Sequence, residues 1–124
     1  MGRFGDGDIL ARTEQYALRA ITVFRHLRKM RDEEAWVMGR QLLRSGTSIG
    51  ANLVEADAAE TTKDFIHKCR ISLKETRESG YWLRLIVLAN IVKADRLADI
   101  ADETDQLIAI IVSIINNTEG KDEQ

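Results

Sequence analysis

The chain contains no proline. No backbone donor is therefore lost to a pyrrolidine ring, and with few turn clusters the sequence favours long, uninterrupted helices. It has one cysteine, Cys69, which excludes an internal disulfide and fits a reducing cytoplasmic setting. His26 and His67 are the only histidines. His67 and Cys69 stand two positions apart, hence on different faces of a helix, and no Glu-x-x-His pair occurs, so a ferritin-like di-iron site lacks its ligands. A Gly-x-x-x-x-Gly-Lys phosphate loop is missing as well. Cys69 falls on an apolar stripe, where a thiol is a small core residue rather than a nucleophile. Glu75 and Glu78 form a carboxylate pair of a kind ordinary on helix surfaces. The expectation is a protein with no catalytic residues, no metal and no cofactor. The longest apolar run, residues 107–115, has nine residues and includes Ser113. A membrane span needs about 20, so no membrane partner is expected. Residues 1–8 lack the apolar stretch of a signal peptide and read as a disordered start.

What is present is heptad-like apolar spacing over 124 residues, a length that fits one domain. Leu10, Thr13, Ala17, Ala20, Phe24 and Leu27 alternate at steps of three and four, and Ile9, Tyr16, Val23 and Met30 recur every seven. Together they predict a first helix over 9–30, with Asp8 as its N-cap. After the charged turn Arg31-Asp32-Glu33-Glu34, a second helix is expected over 34–58. Its stripes run side by side, one through Ala35, Met38, Leu42, Ser45 and Ile49, the other through Trp36, Gly39, Leu43, Gly46 and Gly50. Residues 45–50 are poor helix by propensity, but both stripes stay in phase across them, so helix is preferred to a loop. Gly46 and Gly50, one turn apart, leave room for another backbone.

A third helix is expected from Thr61 or Thr62 to 92, with small residues Ser72, Thr76, Ser79 and Gly80 set to pack closely on helix two. A fourth covers 95–116. Its last two turns are apolar almost all round, and a helix with no polar side needs cover on every side. Ile108, Ile110, Val112 and Ile115 are therefore candidates for an oligomer interface. Residues 117–124 read as a disordered tail. The predicted fold is all-α, an antiparallel up-down-up-down four-helix bundle over 9–116 that oligomerises, its short loops making consecutive helices neighbours.

Three polar groupings remain as candidate sites. Ser48, Asn52 and Glu55 share one face of helix two, either as a ligand-binding ladder or, the stronger reading, as a hydrogen-bonded network that fixes helix register. On helix three, Lys63, Arg70, Arg77 and Arg84 recur every seven residues, with His67, Lys74 and Tyr81 between them. Helix one adds Arg12, Arg19, Arg25, Arg28, Lys29 and Arg31 against a single acid, Glu14. Such a stripe suits phosphate backbones of RNA or DNA. It equally suits a solvated face neutralised by neighbours such as Glu78 beside Lys74, or pairing with acidic helix four (Asp95, Asp99, Asp102, Glu103, Asp105) in the same or another copy. The charge is indeed uneven, with residues 1–92 net +3 and residues 93–124 net −5. Tyr81, Trp82 and Trp36 could stack on bases, but anchoring a core or interface is the commoner use.

The run Ser48-Ile49-Gly50-Ala51-Asn52-Leu53-Val54-Glu55-Ala56 resembles the S-I-x-x-N-x-x-E signature of a four-helix-bundle family encoded within intervening sequences of bacterial 23S ribosomal RNA genes. Phe65-Ile66-His67-Lys68, Ser72-Leu73-Lys74-Glu75-Thr76-Arg77-Glu78-Ser79 and Tyr81-Trp82-Leu83-Arg84-Leu85 extend the similarity over about residues 12–116. The resemblance implies four antiparallel helices and a ring-like homo-oligomer, commonly a homopentamer. In a relative that accompanies diversity-generating retroelements, it implies a basic pentamer that binds nucleic acid. This chain departs from that pattern in its net acidity and in the turn before helix two, where many members carry proline. The functional expectation is a non-catalytic homo-oligomeric scaffold or adaptor, with a nucleic-acid-binding accessory protein as the alternative.

Overall fold

The computed structural model describes residues 2–122. Four helices account for most of them: α1 (Asp8–Lys29), α2 (Glu33–Asp57), α3 (Thr62–Leu88) and α4 (Ala98–Asp122). A single 3-10 turn, Ala94–Arg96, precedes α4, and there is no strand among the described residues. None of these helices is long and apolar enough to cross a membrane.

The helix ends follow local chemistry. Asp32 caps α2, its carboxylate accepting from the Ala35 amide at 2.9 Å, with Glu33 and Glu34 favourably placed in the first turn. Thr61 caps α3 by accepting from the Asp64 amide at 3.1 Å. α3 stops at Leu88, four residues short of the expected end, because Asn90 turns left-handed at φ 59. The Ile91 amide then donates to Ile86 O and the Asn90 amide to Val87 O, closing a Schellman motif. At the start of α1 the capping position is Gly7 rather than Asp8, which is the first helical residue. Asp6 Oδ1 accepts the Asp8 amide at 3.3 Å instead.

Two flanking segments differ from expectation. Residues 2–4 lie against the end of α2. The Phe4 amide donates to Asp57 Oδ1 at 2.8 Å, Arg3 Nε donates to Ala59 O at 2.8 Å, and the Phe4 ring lies 5.3 Å from that of Phe65. A carboxylate and an aromatic neighbour thus hold a segment that has no periodicity of its own. At the other end α4 runs on through residues 117–122, where Thr118 Oγ1 donates to Ile114 O at 2.7 Å. Met1, Glu123 and Gln124, also read as parts of disordered ends, lie outside the described residues.

All four helices share one core. Tyr16, Leu27, Leu42, Ile49, Leu53, Ile86, Leu107 and Ile111 are its largest fully buried apolar side chains. α2 continues as helix through 45–50. Its glycines face α1: a Cβ on Gly46 would stand 2.8 Å from Ala20 Cβ, and one on Gly50 would stand 3.1 Å from Thr13 Oγ1. Gly39 lies against Leu27 and Phe24 in the same way. Close packing on α1 outweighs the poor helix propensity of this stretch. On its other side α2 meets α3, where Ser72 Oγ donates to Ile49 O at 2.9 Å and Ser79 Oγ donates to Ser45 Oγ at 2.8 Å. α4 packs chiefly on α3 and only lightly on α1.

Candidate functional site

The residues of the expected ladder sit on α2 without joining one another side chain to side chain. Ser48 Oγ donates to Arg44 O at 2.7 Å and Asn52 Nδ2 donates to Ser48 O at 2.8 Å, both within α2. Ser48 and Asn52 are half-buried and Glu55 is exposed. Hydroxyl and amide groups bonded four residues back satisfy themselves locally.

The polar network that spans helices is a different one. The Ser72–Ile49 and Ser79–Ser45 bonds join α3 to α2, and within α3 Thr76 Oγ1 donates to Ser72 O at 2.8 Å. Tyr16 OH lies 2.7 Å from Thr104 Oγ1, whose own hydrogen goes to Ile100 O at 2.7 Å, so the tyrosine is the donor. Ser45, Ser72, Thr76, Ser79, Thr104 and Tyr16 are all buried, and among the described residues no buried side-chain nitrogen or oxygen lacks a partner. The signal for this network is a hydroxyl standing in phase with an apolar stripe, as Ser45, Thr76 and Thr104 do.

The basic stripe is present as a surface. Lys63, His67, Arg70, Lys74, Arg77 and Arg84 are all exposed along one face of α3, with Tyr81 among them. Every seven residues advance about 10.5 Å along a helix. Arg70 is bound to Glu119 of α4 at 2.7 Å. Glu78, expected beside Lys74, instead pairs with Arg44, which reaches over from α2 and also holds Glu75 at 3.2 Å. The bond to Arg44 keeps the Glu78 carboxyl below its ordinary range, whereas partial burial raises that of Glu75 despite the same guanidinium. Trp82 Nε1 donates to Glu78 at 3.3 Å, and the Tyr81 ring stands edge-on to Trp82 at 5.2 Å. Of the α1 cations, Arg12 is taken up by α4, bonding Glu103 at 2.7 Å and Gln106 at 3.0 Å.

The apolar end of α4 is better covered than its composition suggests. Ile115 is 3% exposed and belongs to the core, a correction to its place among the interface candidates. Ile108, Ile110 and Val112 are half-buried. The positions left facing outward are Ala109, Ser113 and Asn116, small or polar, so one copy hides most of the isoleucines on its own. Large apolar side chains are exposed elsewhere: Trp36, Val37 and Val54 on α2, Tyr81 and Leu88 on α3, Leu18 on α1 and Met30 at its end. Trp36 carries the Arg40 guanidinium over its ring at 4.8 Å.

An apolar groove of about 270 Å³ runs between α3 and α4, with Leu83, Val87, Leu88, Leu97 and Ala101 on its walls and Arg84 and Asp105 at its edges. Among the described residues no three His, Cys, Asp or Glu side chains are grouped to hold a metal ion. Cys69 is fully buried, and burial pushes its thiol up to about 11.

These features define a class: a small all-α protein of four helices, cross-linked inside by hydroxyl hydrogen bonds and carrying a basic face on its third helix. The family described as 23S rRNA-intervening sequence protein matches residues 10–113, and the chain belongs to that family. It is also similar to a solved structure, a protein of unknown function from the S23 ribosomal protein family of Bacteroides thetaiotaomicron. The two share 34% identity with a TM-score of 0.80, over 86% of this chain and 97% of that one. No curated protein matches.

Proposed function

We propose that the chain is a non-catalytic scaffold or adaptor, an antiparallel up-down-up-down four-helix bundle that assembles with copies of itself in the cytoplasm. The order of contacts supports the topology. Residues 13, 20 and 27 of α1 meet 50, 46 and 39 of α2, 72 and 79 of α3 meet 49 and 45, and 70 and 80 meet 119 and 104 of α4. The observation that carries self-assembly is the exposure of large apolar side chains on neighbouring positions, Trp36 with Val37 at 42% and 46%, and Tyr81 with Leu88, two turns apart on one face, at 55% and 62%. Single exposed leucines are ordinary on a monomer, but clustered ones mark contact surfaces. Five copies is the number the family resemblance suggests, and the buried, unreactive Cys69 suits a reducing compartment. Light scattering coupled to size exclusion, at micromolar concentration, is expected to give a multiple of the protomer mass. A stable monomer overturns the reading.

The α3 stripe favours a second reading, an accessory protein that binds RNA or DNA. Five cations along one exposed face, with His67 and Tyr81 among them, match a phosphate backbone and a stacking base. On this reading structured RNA or duplex DNA is retained at low salt and released steeply as salt rises, and Arg70→Glu with Arg77→Glu abolishes retention while the helical circular dichroism stays unchanged. No retention at low salt ends it.

A further inference from the structure

We infer that the basic rim of α3 docks on the acidic rim formed by the 3-10 turn and α4 of a second copy of this chain. The inference rests on the self-assembly reading and names the surface that would achieve it.

The two rims carry opposite charge over a similar stretch of chain. On α3, Lys74, Arg77 and Arg84 span ten residues; on the other side, Asp95, Asp99, Asp102 and Asp105 span ten as well, with Lys93 and Arg96 as basic residues at the 3-10 end. At about 1.5 Å per helical residue the α3 array is about 15 Å long and the α4 part of the acidic one, 99–105, about 9 Å, with Asp95 extending it along the 3-10 turn. All seven side chains are exposed. Among the described residues none of them takes part in an ion pair within one copy; Asp102 only accepts the Gln106 amide at 2.8 Å. Arg84 and Asp105 edge the same groove, yet they form no ion pair across it. Other opposite charges on these helices do pair, Arg12 with Glu103 and Arg70 with Glu119, so the unpaired arrays are a matter of where they stand.

The apolar content fits the same arrangement. Tyr81 and Leu88 stand at three-four spacing among the cations, and Leu88 lines the groove. Opposite them in a second copy, the acidic rim offers exposed Ala98 and Ala101, small enough for large side chains to seat against. An apolar centre within a charged rim is the anatomy of a protein interface, and complementary rims fix its register. A nucleic acid would use the cations but leave the acidic rim beside them as a repulsive neighbour.

The test is a charge exchange on the full chain. Arg77→Glu with Arg84→Glu places acid against acid between copies, and Asp99→Lys with Asp105→Lys places base against base. Each pair is expected to weaken assembly at least about tenfold by analytical ultracentrifugation, and the chain carrying all four changes is expected to regain it. Wild-type assembly should also loosen between about 0.05 and about 0.5 M salt. All four positions are exposed, and circular dichroism checks that the helices persist. If the wild type assembles but the paired reversals assemble equally well, or salt has no effect, this interface is wrong while self-assembly stands. If the reversals abolish RNA retention and leave assembly untouched, the stripe belongs to nucleic acid and the inference fails. A monomeric wild type removes the self-assembly reading itself.

Discussion

Replacing the buried Gly46 by leucine is expected to destabilise the chain by about 3 kcal/mol or more. Even one carbon added there stands 2.8 Å from Ala20 Cβ and 3.6 Å from Tyr16 Cε1. Ala20 and Tyr16 are 0% and 1% exposed, so neither can yield toward solvent. Backbone propensity acts in the opposite direction, since a helix-internal glycine replaced by alanine gains about 1 kcal/mol. The contrast with Gly80 separates the two effects. A Cβ at Gly80 meets only Thr104 Cγ2 at 3.4 Å, an ordinary contact, so Gly80→Ala should raise stability by up to about 1 kcal/mol. Gly46→Ala should gain less than that or lose. Urea midpoints of the three variants decide it. A neutral Gly46→Leu means that α1 does not approach α2 as closely as Gly46 allows.

The same residue shows what sequence does and does not reveal. The phase of the stripes was enough to carry α2 through 45–50, and the spacing of Gly46 and Gly50 announced a close approach. Which helix comes close was not legible, because glycine offers room to any neighbour; α1 takes it, while Ser45 on the adjoining stripe bonds to Ser79 of α3. The hydroxyl network was hidden for a related reason. Serine and threonine are small enough to read as packing residues, so Ser72, Thr76 and Ser79 show their size in the sequence and not their bonds. Conversely, Ser48 and Asn52 stood out as polar residues beside the core, and they turn back on their own helix. Ile115 misled through composition. Counting isoleucines at the end of α4 says nothing of the small and polar residues interleaved at 109, 113 and 116, which take the outward positions. The hold of Asp57 on residues 3 and 4 depends on a contact more than 50 positions away, beyond any local pattern. The basic stripe is the most legible candidate, since exposure follows from period alone, but Glu119, its one ion-pair partner among the described residues, lies in the segment that reads as a disordered tail.

Stability is expected to fall on the alkaline side by about 2–3 kcal/mol, with Cys69 as the first cause. Its thiol is fully buried, so the folded protein resists forming a thiolate and the group titrates at about 11, against an ordinary 9.0 in an open chain. The sign follows from proton counts. Between these values the unfolded chain has released a proton that the folded chain still holds, so raising the pH favours unfolding. The contribution is complete below about pH 9, declines as the pH climbs and is gone above about 11. Tyr16, raised above its ordinary 10.0 by burial, adds a second decline of the same sign further up. On the acid side no comparable loss arises from the α2–α3 ion cluster: Glu78 is lowered and Glu75 raised, so their contributions oppose each other, and both are part-exposed. Cys69→Ala should be somewhat less stable at neutral pH, from the small volume lost, but its urea midpoint should hold level from about pH 7.5 to about pH 9.5, where that of the wild type already drops. An identical alkaline decline in both proteins places the titrating group elsewhere, and with it removes the claim that the third helix turns its cysteine into the shared core.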